Sequence, residues 1–187
     1  ECVVMSAKYL GVPFDINCGG IDHIPIHHTN ELAQAEAAYG KDLCNYWLHG
    51  NFLNFKREKM AKSKGGIYTI SELEEQGFKP LSFRYLILTA HYQTPLEFNL
   101  DALKAAQNAL NNIYQFLREK EKNGASNPAL PTLVENYKKE FLGAINDNLN
   151  MPQALAILWK VIKDKELPYQ GKKELLLDFD RVFGLRL

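Results

Sequence analysis

The chain has 187 residues, 46% of them hydrophobic, with 22 basic and 22 acidic side chains and no formal net charge. That supports one large or two small domains with a true core. It excludes nucleic-acid binding by bulk positive charge alone, while leaving room for a local basic patch. No apolar run approaches the ~18 residues that span a bilayer, and no secretory leader is visible. Three cysteines (Cys2, Cys18, Cys44) are an odd number in a chain with ample core, which argues for reduced thiols and a cytoplasmic setting. The chain begins at Glu1 and stops abruptly at Leu187, so a piece of a longer protein is expected.

The expected architecture is α/β followed by all-α. Cys2 to Tyr9 reads as a helix ended by Gly11 and Pro13. Phe14-Asp15-Ile16 reads as the end of a buried strand, with regular structure stopped by Gly19-Gly20. Pro25 suits a first helical turn, and residues 27–38, rich in alanine and glutamate, suit a helix closed by Gly40. Asn45 to Phe55 is expected to hold a strand or a hairpin. A lysine-rich loop follows, and Thr69 or Ser71 then caps a short helix through Leu73. From residue 80 the pattern becomes helical. Leu103, Ala106, Leu110, Ile113 and Leu117 recur at helical spacing. After a linker at Asn123–Pro128 come a second stripe (Leu133, Tyr137, Phe141, Ala144) and a third (Leu155, Leu158, Ile162), the latter begun by Asn150 and Pro152. A fourth uses Leu176, Phe179 and Phe183. Antiparallel packing of these stripes gives a helical bundle.

Two groups of residues carry chemistry. His27 and Glu31 are four apart and share a helix face. Cys2, 25 residues before His27, completes a set of donors that zinc accepts, with one position to spare. The second group is Lys59-Met60-Ala61-Lys62-Ser63 before Gly65-Gly66, with Gly19-Gly20-Ile21-Asp22 upstream. Lysine ammonium groups on a mobile loop stabilise charge growing on a departing pyrophosphate. Glycines admit a ligand to the backbone, and Asp22 accepts hydrogen bonds from a ribose. Each residue also has a bland reading: a solvated helix pair, a small buried thiol, a capping aspartate, a solvated cationic loop. It is the combination that points to an enzyme that activates a thiol substrate with ATP.

The order of motifs resembles the cysteinyl-tRNA synthetases, which are class I enzymes. Glu1-Cys2 with Met5, Phe14-Asp15-Ile16, Gly19-Gly20-Ile21-Asp22, His27-His28-Thr29-Asn30-Glu31, Tyr46-Trp47-Leu48-His49 and Lys59-Met60-Ala61-Lys62-Ser63 fall in family order. So do Ala90-His91-Tyr92 and Asp147-Asn148-Leu149-Asn150-Met151-Pro152. The resemblance implies the C-terminal half of a Rossmann-like class I catalytic domain over residues 1–79. A stem-contact region and anticodon-type helical bundle would follow over 80–187. It implies zinc on Cys2, His27 and Glu31, with a further cysteine ligand and the HIGH-type ATP motif upstream of this chain. Lys59 and Lys62 would be catalytic, and Lys62, Ser63, Gly20 and Asp22 would bind ATP with its Mg2+. L-cysteine and tRNA(Cys) would be the other substrates of a monomeric, cytoplasmic enzyme incomplete as it stands here.

Three departures from the family pattern are visible. Ala61 replaces a serine, Asn17-Cys18 replaces a His-Gly pair, and Gln93 replaces an arginine. The Asn17-Cys18 change removes a histidine near the substrate pocket and adds a thiol that could touch the metal. Two alternatives remain open: a cysteine:glucosaminyl-inositol ligase of mycothiol synthesis, sharing the zinc and ATP sites, and a non-catalytic tRNA-binding fragment.

Overall fold

Gly11 closes the first helix, α1 (Cys2–Leu10), with a φ of 85° that side chains rarely adopt. The computed structural model describes residues 1–55, 58–59, 68–118 and 130–187, with Glu58, Lys59 and Leu130 in backbone only. Lys62, Ser63, Gly65-Gly66 and the Asn123–Pro128 linker lie outside the described residues. The chain forms two compact units, Glu1–Leu53 with Tyr92–Leu96 and Asn54–His91 with Glu97–Leu187.

In the first unit β1 (Phe14–Gly20) pairs in parallel with β2 (Cys44–Gly50), in register from Phe14↔Cys44 to Gly20↔Gly50. Parallel neighbours need a crossover between them, and α2 (Thr29–Tyr39) supplies it, ending at Gly40 with φ 66°. Val3, Phe14, Ala35, Leu43 and Cys44 form the core, with Trp47 packed against it. One expectation is corrected. The strand does not stop before Gly19-Gly20, because Gly20 keeps an extended backbone (φ −77°, ψ 155°) and both glycines stay in the ladder. Residues 45–55 hold a strand as expected: β2 joins β1, and β3 (Leu53–Phe55) then runs antiparallel to β4 (Glu58–Lys59) in a second sheet.

The second unit is helical. Thr69 caps α3 (Ile70–Glu75) through a reciprocal box with Glu72. Pro80 opens α4 (Pro80–Leu88). The strand β5 (Leu96–Phe98) brings Phe98 against Phe55, Tyr68 and Phe83. The helix α5 (Leu100–Arg118) buries Leu103, Ala106, Leu110 and Ile113, as its spacing predicts, while Leu117 at its end is half-buried. In α6 (Leu130–Asn146) the buried stripe is Val134, Tyr137, Phe141 and Ala144, one residue out of step with the expected Leu133. Asn150 and Pro152 start α7 (Met151–Lys163) as expected, and its buried edge includes Val161 where Ile162 was expected. The last helix, α8 (Tyr169–Phe183), buries Phe179 and Phe183. Phe179 stacks on Phe141 with ring centres 4.0 Å apart. An i, i+3, i+4 stripe spans about 100° of a helix, so tertiary packing selects which border residue faces inward.

Asp164 ties this bundle together. One carboxylate oxygen accepts from the Tyr137 hydroxyl at 2.7 Å, and the other accepts from the backbone N–H groups of Glu166 and Leu167 at 2.7 and 3.1 Å. The Tyr137 bond, aided by the two amides, holds the Asp164 carboxyl below the usual carboxylate range, while burial and the same bond push the Tyr137 hydroxyl up. Asp164→Ala is expected to destabilise the helical unit by about 2 kcal/mol, the worth of hydrogen bonds to a charged acceptor, read as a lowered melting temperature. A carboxylate with a depressed folded-state pKa contributes stability above its unfolded pKa. That contribution fades as pH falls through the folded value. The deficit of the alanine variant should therefore be full at pH 7 and shrink in strong acid.

Candidate functional site

The chain reverses after β1 through two successive turns, and these create the site. Ile21–His23 is a 3-10 turn, and Ile24–His28 is a single wide turn with Pro25 at its start. The Thr29 hydroxyl donates to the Ile24 carbonyl at 2.6 Å, closing that turn from the side-chain side. The α-helix therefore begins at Thr29, two residues later than the sequence suggests. His27 lies in the wide turn, and Glu31 lies in the first turn of α2. A carboxylate there meets the positive end of the helix dipole.

Cys2, His27 and Glu31 converge even so. One ligand atom from each lies within 4.8 Å of the others. His27 Nε2 is 3.4 Å from Glu31 Oε1. Cys2 and His27 are exposed, while Glu31 is 7% exposed. Donor atoms around a tetrahedral zinc lie roughly 3.3–3.8 Å apart, given metal bonds of about 2.0–2.3 Å. A shift of about an ångström at each donor would close the set on a metal ion. Cys18 is not part of the converging set among the described residues. Strand alternation places it on the face opposite Asn17.

Around Glu31 sits a layer that the sequence reading did not assign. The Asn17 amide donates to Glu31 Oε2 at 3.4 Å. His28, only 5% exposed, lies 3.9 Å from the same oxygen and shares a 2.8 Å hydrogen bond with His49. Trp47 packs on His28 with ring centres 4.6 Å apart, and His23 meets His28 edge-on. Burial holds His28 below the ordinary histidine pKa. Repulsion from His49, His23 and His27 adds to this, and Glu31 opposes it. Near pH 7 its ring is neutral and both donates and accepts. The signal for this layer is register: Asn17 pairs with Trp47 and Gly19 with His49. Residues alternating by two on adjacent parallel strands share one face.

Gly19 is glycine because of this layer. A Cβ there would overlap the His28 ring, standing 2.7 Å from Nε2 and 3.1 Å from His23 Nδ1. Gly19→Ala is expected to displace His28 and destabilise the first unit by about 1–3 kcal/mol, as overpacking does. Loss of the paired His28–His49 ring signals by NMR, alongside the lowered melting point, would check it.

The expected nucleotide residues are only partly described. Gly20 ends β1, and Asp22 lies in the following 3-10 turn with its carboxylate folded back over the Gly20 α-carbon, where a Cβ would overlap Asp22 Oδ1. Lys59 has its backbone in β4, paired with Asn54, and its side chain is outside the described residues. Lys62 and Ser63 lie outside them entirely.

Several comparisons with known proteins bear on this arrangement. The chain is 43% identical over its full length to "Cysteine--tRNA ligase 1" of Burkholderia lata and 37% identical to "Cysteine--tRNA ligase" of Borreliella burgdorferi. It spans 38% and 41% of those relatives' lengths. Its fold is similar to that of the agnB2 LeuRS of Agrobacterium radiobacter K84, solved as a ternary complex with tRNA and LeuAMS. That match has a TM-score of 0.69 at 16% identity and covers 94% of this chain and 26% of that one. No described helix is long and apolar enough to cross a membrane. Residues 1–108 match the family model for the tRNA synthetases class I (C) catalytic domain, and the chain belongs to that family.

Proposed function

We propose that this chain is the thiol-selecting and lysine-loop part of a cytoplasmic cysteine–tRNA ligase, acting on L-cysteine, ATP with Mg2+, and tRNA(Cys). The observation that carries the reading is the convergence of Cys2, His27 and Glu31 in a member of this family. The relatives' names favour a tRNA acceptor over the amino sugar of the mycothiol pathway. Residues 80–187 are proposed to be the helices that face tRNA. The chain spans about two-fifths of its curated relatives, so the complete reaction is assigned to the ligase of which it forms part.

The donor set, a thiolate, an imidazole and a carboxylate, fits zinc. Zinc held by Cys2, His27 and Glu31 would supply a thiol-preferring coordination site that a serine hydroxyl fills far less well. The remaining work falls to protein groups. The Asn17 amide and the His28 ring, 3.4 and 3.9 Å from Glu31 Oε2, fix the direction of that carboxylate. The His28–His49 pair, with Trp47 packed on it, keeps water away from the carboxylate's inner side. Asp22 and Gly20 are proposed to receive the ribose of ATP, with Ser63 contributing on the phosphate side. As the cysteine carboxylate attacks the α-phosphorus, Lys59 and Lys62 would neutralise charge building on pyrophosphate. The adenylate then passes its cysteinyl group to the terminal adenosine hydroxyl of the tRNA.

A chimera tests this reading. Residues 1–187 replace the matching segment of the Burkholderia lata enzyme, and ATP–pyrophosphate exchange is followed with cysteine and with serine. Exchange driven by cysteine and not by serine is expected. A folded chimera without cysteine-dependent exchange would overturn the assignment.

A further inference from the structure

Between α5 and α7 runs an open groove of about 570 Å³, lined by Ala105, Asn108, Ala109, Asn112, Trp159 and Lys163. Asn108 and Asn112 are one helical turn apart and share a face, with Lys104 one turn earlier. Both asparagines and Lys163 are exposed, and none of their side chains has a hydrogen-bonding partner among the described residues. Trp159 is held differently. Its indole N–H donates to the hydroxyl of buried Tyr85 at 2.9 Å, which fixes the ring. Ala105 and Ala109 leave the space beside it open. Among the described residues, no carboxylate lines the groove. The groove between α6 and α8, about 370 Å³, differs in this respect: Asp178 lines it, and its two cations are engaged, Lys138 with Glu174 at 3.2 Å and Arg181 with Asp178 at 3.4 Å.

We propose that the α5–α7 groove is a subsite for an unstacked nucleotide of an RNA partner. A fixed indole offers a stacking platform for any base. Two asparagine amides present donors and acceptors together, the chemistry that reads a base edge. Lys163 supplies a cation for the adjoining phosphate, and the described lining adds no acid to repel that phosphate. The inference rests on the ligase reading, which makes tRNA the partner, and adds where one of its nucleotides is held.

The test measures binding of a fluorescent tRNA(Cys) transcript to the 187-residue chain across a salt series. It compares the wild type, the Asn108→Ala/Asn112→Ala double variant, Lys163→Gln, and Lys138→Gln in the other groove. Alanine has the higher helix propensity and both asparagines are exposed, so the double variant keeps its helix; a melting curve verifies this. The double variant should bind at least tenfold more weakly with an unchanged salt slope. Lys163→Gln should flatten the slope of log affinity against log salt by about 0.7–0.9, one phosphate contact. Lys138→Gln should change neither. Wild-type affinity and slope in both groove variants would overturn the subsite while leaving the ligase reading standing. No binding by the wild type would overturn the subsite, while the chimera's pyrophosphate exchange decides the ligase reading separately.

Discussion

Cys2→Ala is expected to abolish stoichiometric zinc in the purified chain, while the unsubstituted chain holds about one zinc ion. The thiol is the softest of the three converging donors, and its loss leaves an imidazole and a carboxylate that bind zinc only weakly. The effect should exceed the 10- to 100-fold that loss of an outer hydrogen-bond partner costs. Asn17→Ala should fall within that smaller range, because Asn17 touches Glu31 rather than the metal position. Zinc measured by mass spectrometry of the native protein, with competition against a chelator, separates the two. Equal zinc in Cys2→Ala and the wild type would sink the assignment of Cys2. Zinc in neither would mean that the three donors alone do not suffice.

Lys62→Ala, placed in the chimera with the Burkholderia lata enzyme, is expected to slow ATP–pyrophosphate exchange by about 10²–10³. That is the usual cost of removing one group aimed at developing charge. Zinc content should be unchanged, since Lys62 lies outside the metal set. Most of the loss should fall on kcat rather than on the KM for cysteine, because the lysine acts on charge that appears in the transition state. Lys62→Arg keeps the charge but changes its shape and hydration, so a partial recovery is expected. Exchange at the unsubstituted rate in Lys62→Ala would remove the lysine from catalysis.

Much of the helical unit was legible from the sequence because burial there follows a local period. The α5 stripe of Leu103, Ala106, Leu110 and Ile113 needs no knowledge of its neighbours to be recognised. Asn150 with Pro152 marks the start of α7 by local backbone chemistry alone. Borders between stripe and solvent were less legible. Val134 and Val161 are buried where Leu133 and Ile162 were expected, because the partner helix decides how wide the apolar face becomes.

The candidate site divides in the same way. The sequence by itself determined the donor types, the family order of the motifs and the spacing of His27 and Glu31. It therefore named Cys2, His27 and Glu31 as a metal set. It did not determine the path between them, since a Thr29 hydroxyl bond and Pro25 widen the turn that precedes α2. Only the tertiary structure decided which residues surround Glu31. Asn17, Gly19, Trp47 and His49 lie on two strands some thirty positions apart, and their meeting depends on the parallel register Asn17↔Trp47 and Gly19↔His49. A slip of one residue would turn that face away. The physical reason is that side-chain type and helical period are encoded within a few neighbours, whereas strand register is a long-range choice made when the core of Val3, Phe14, Ala35, Leu43 and Cys44 closes.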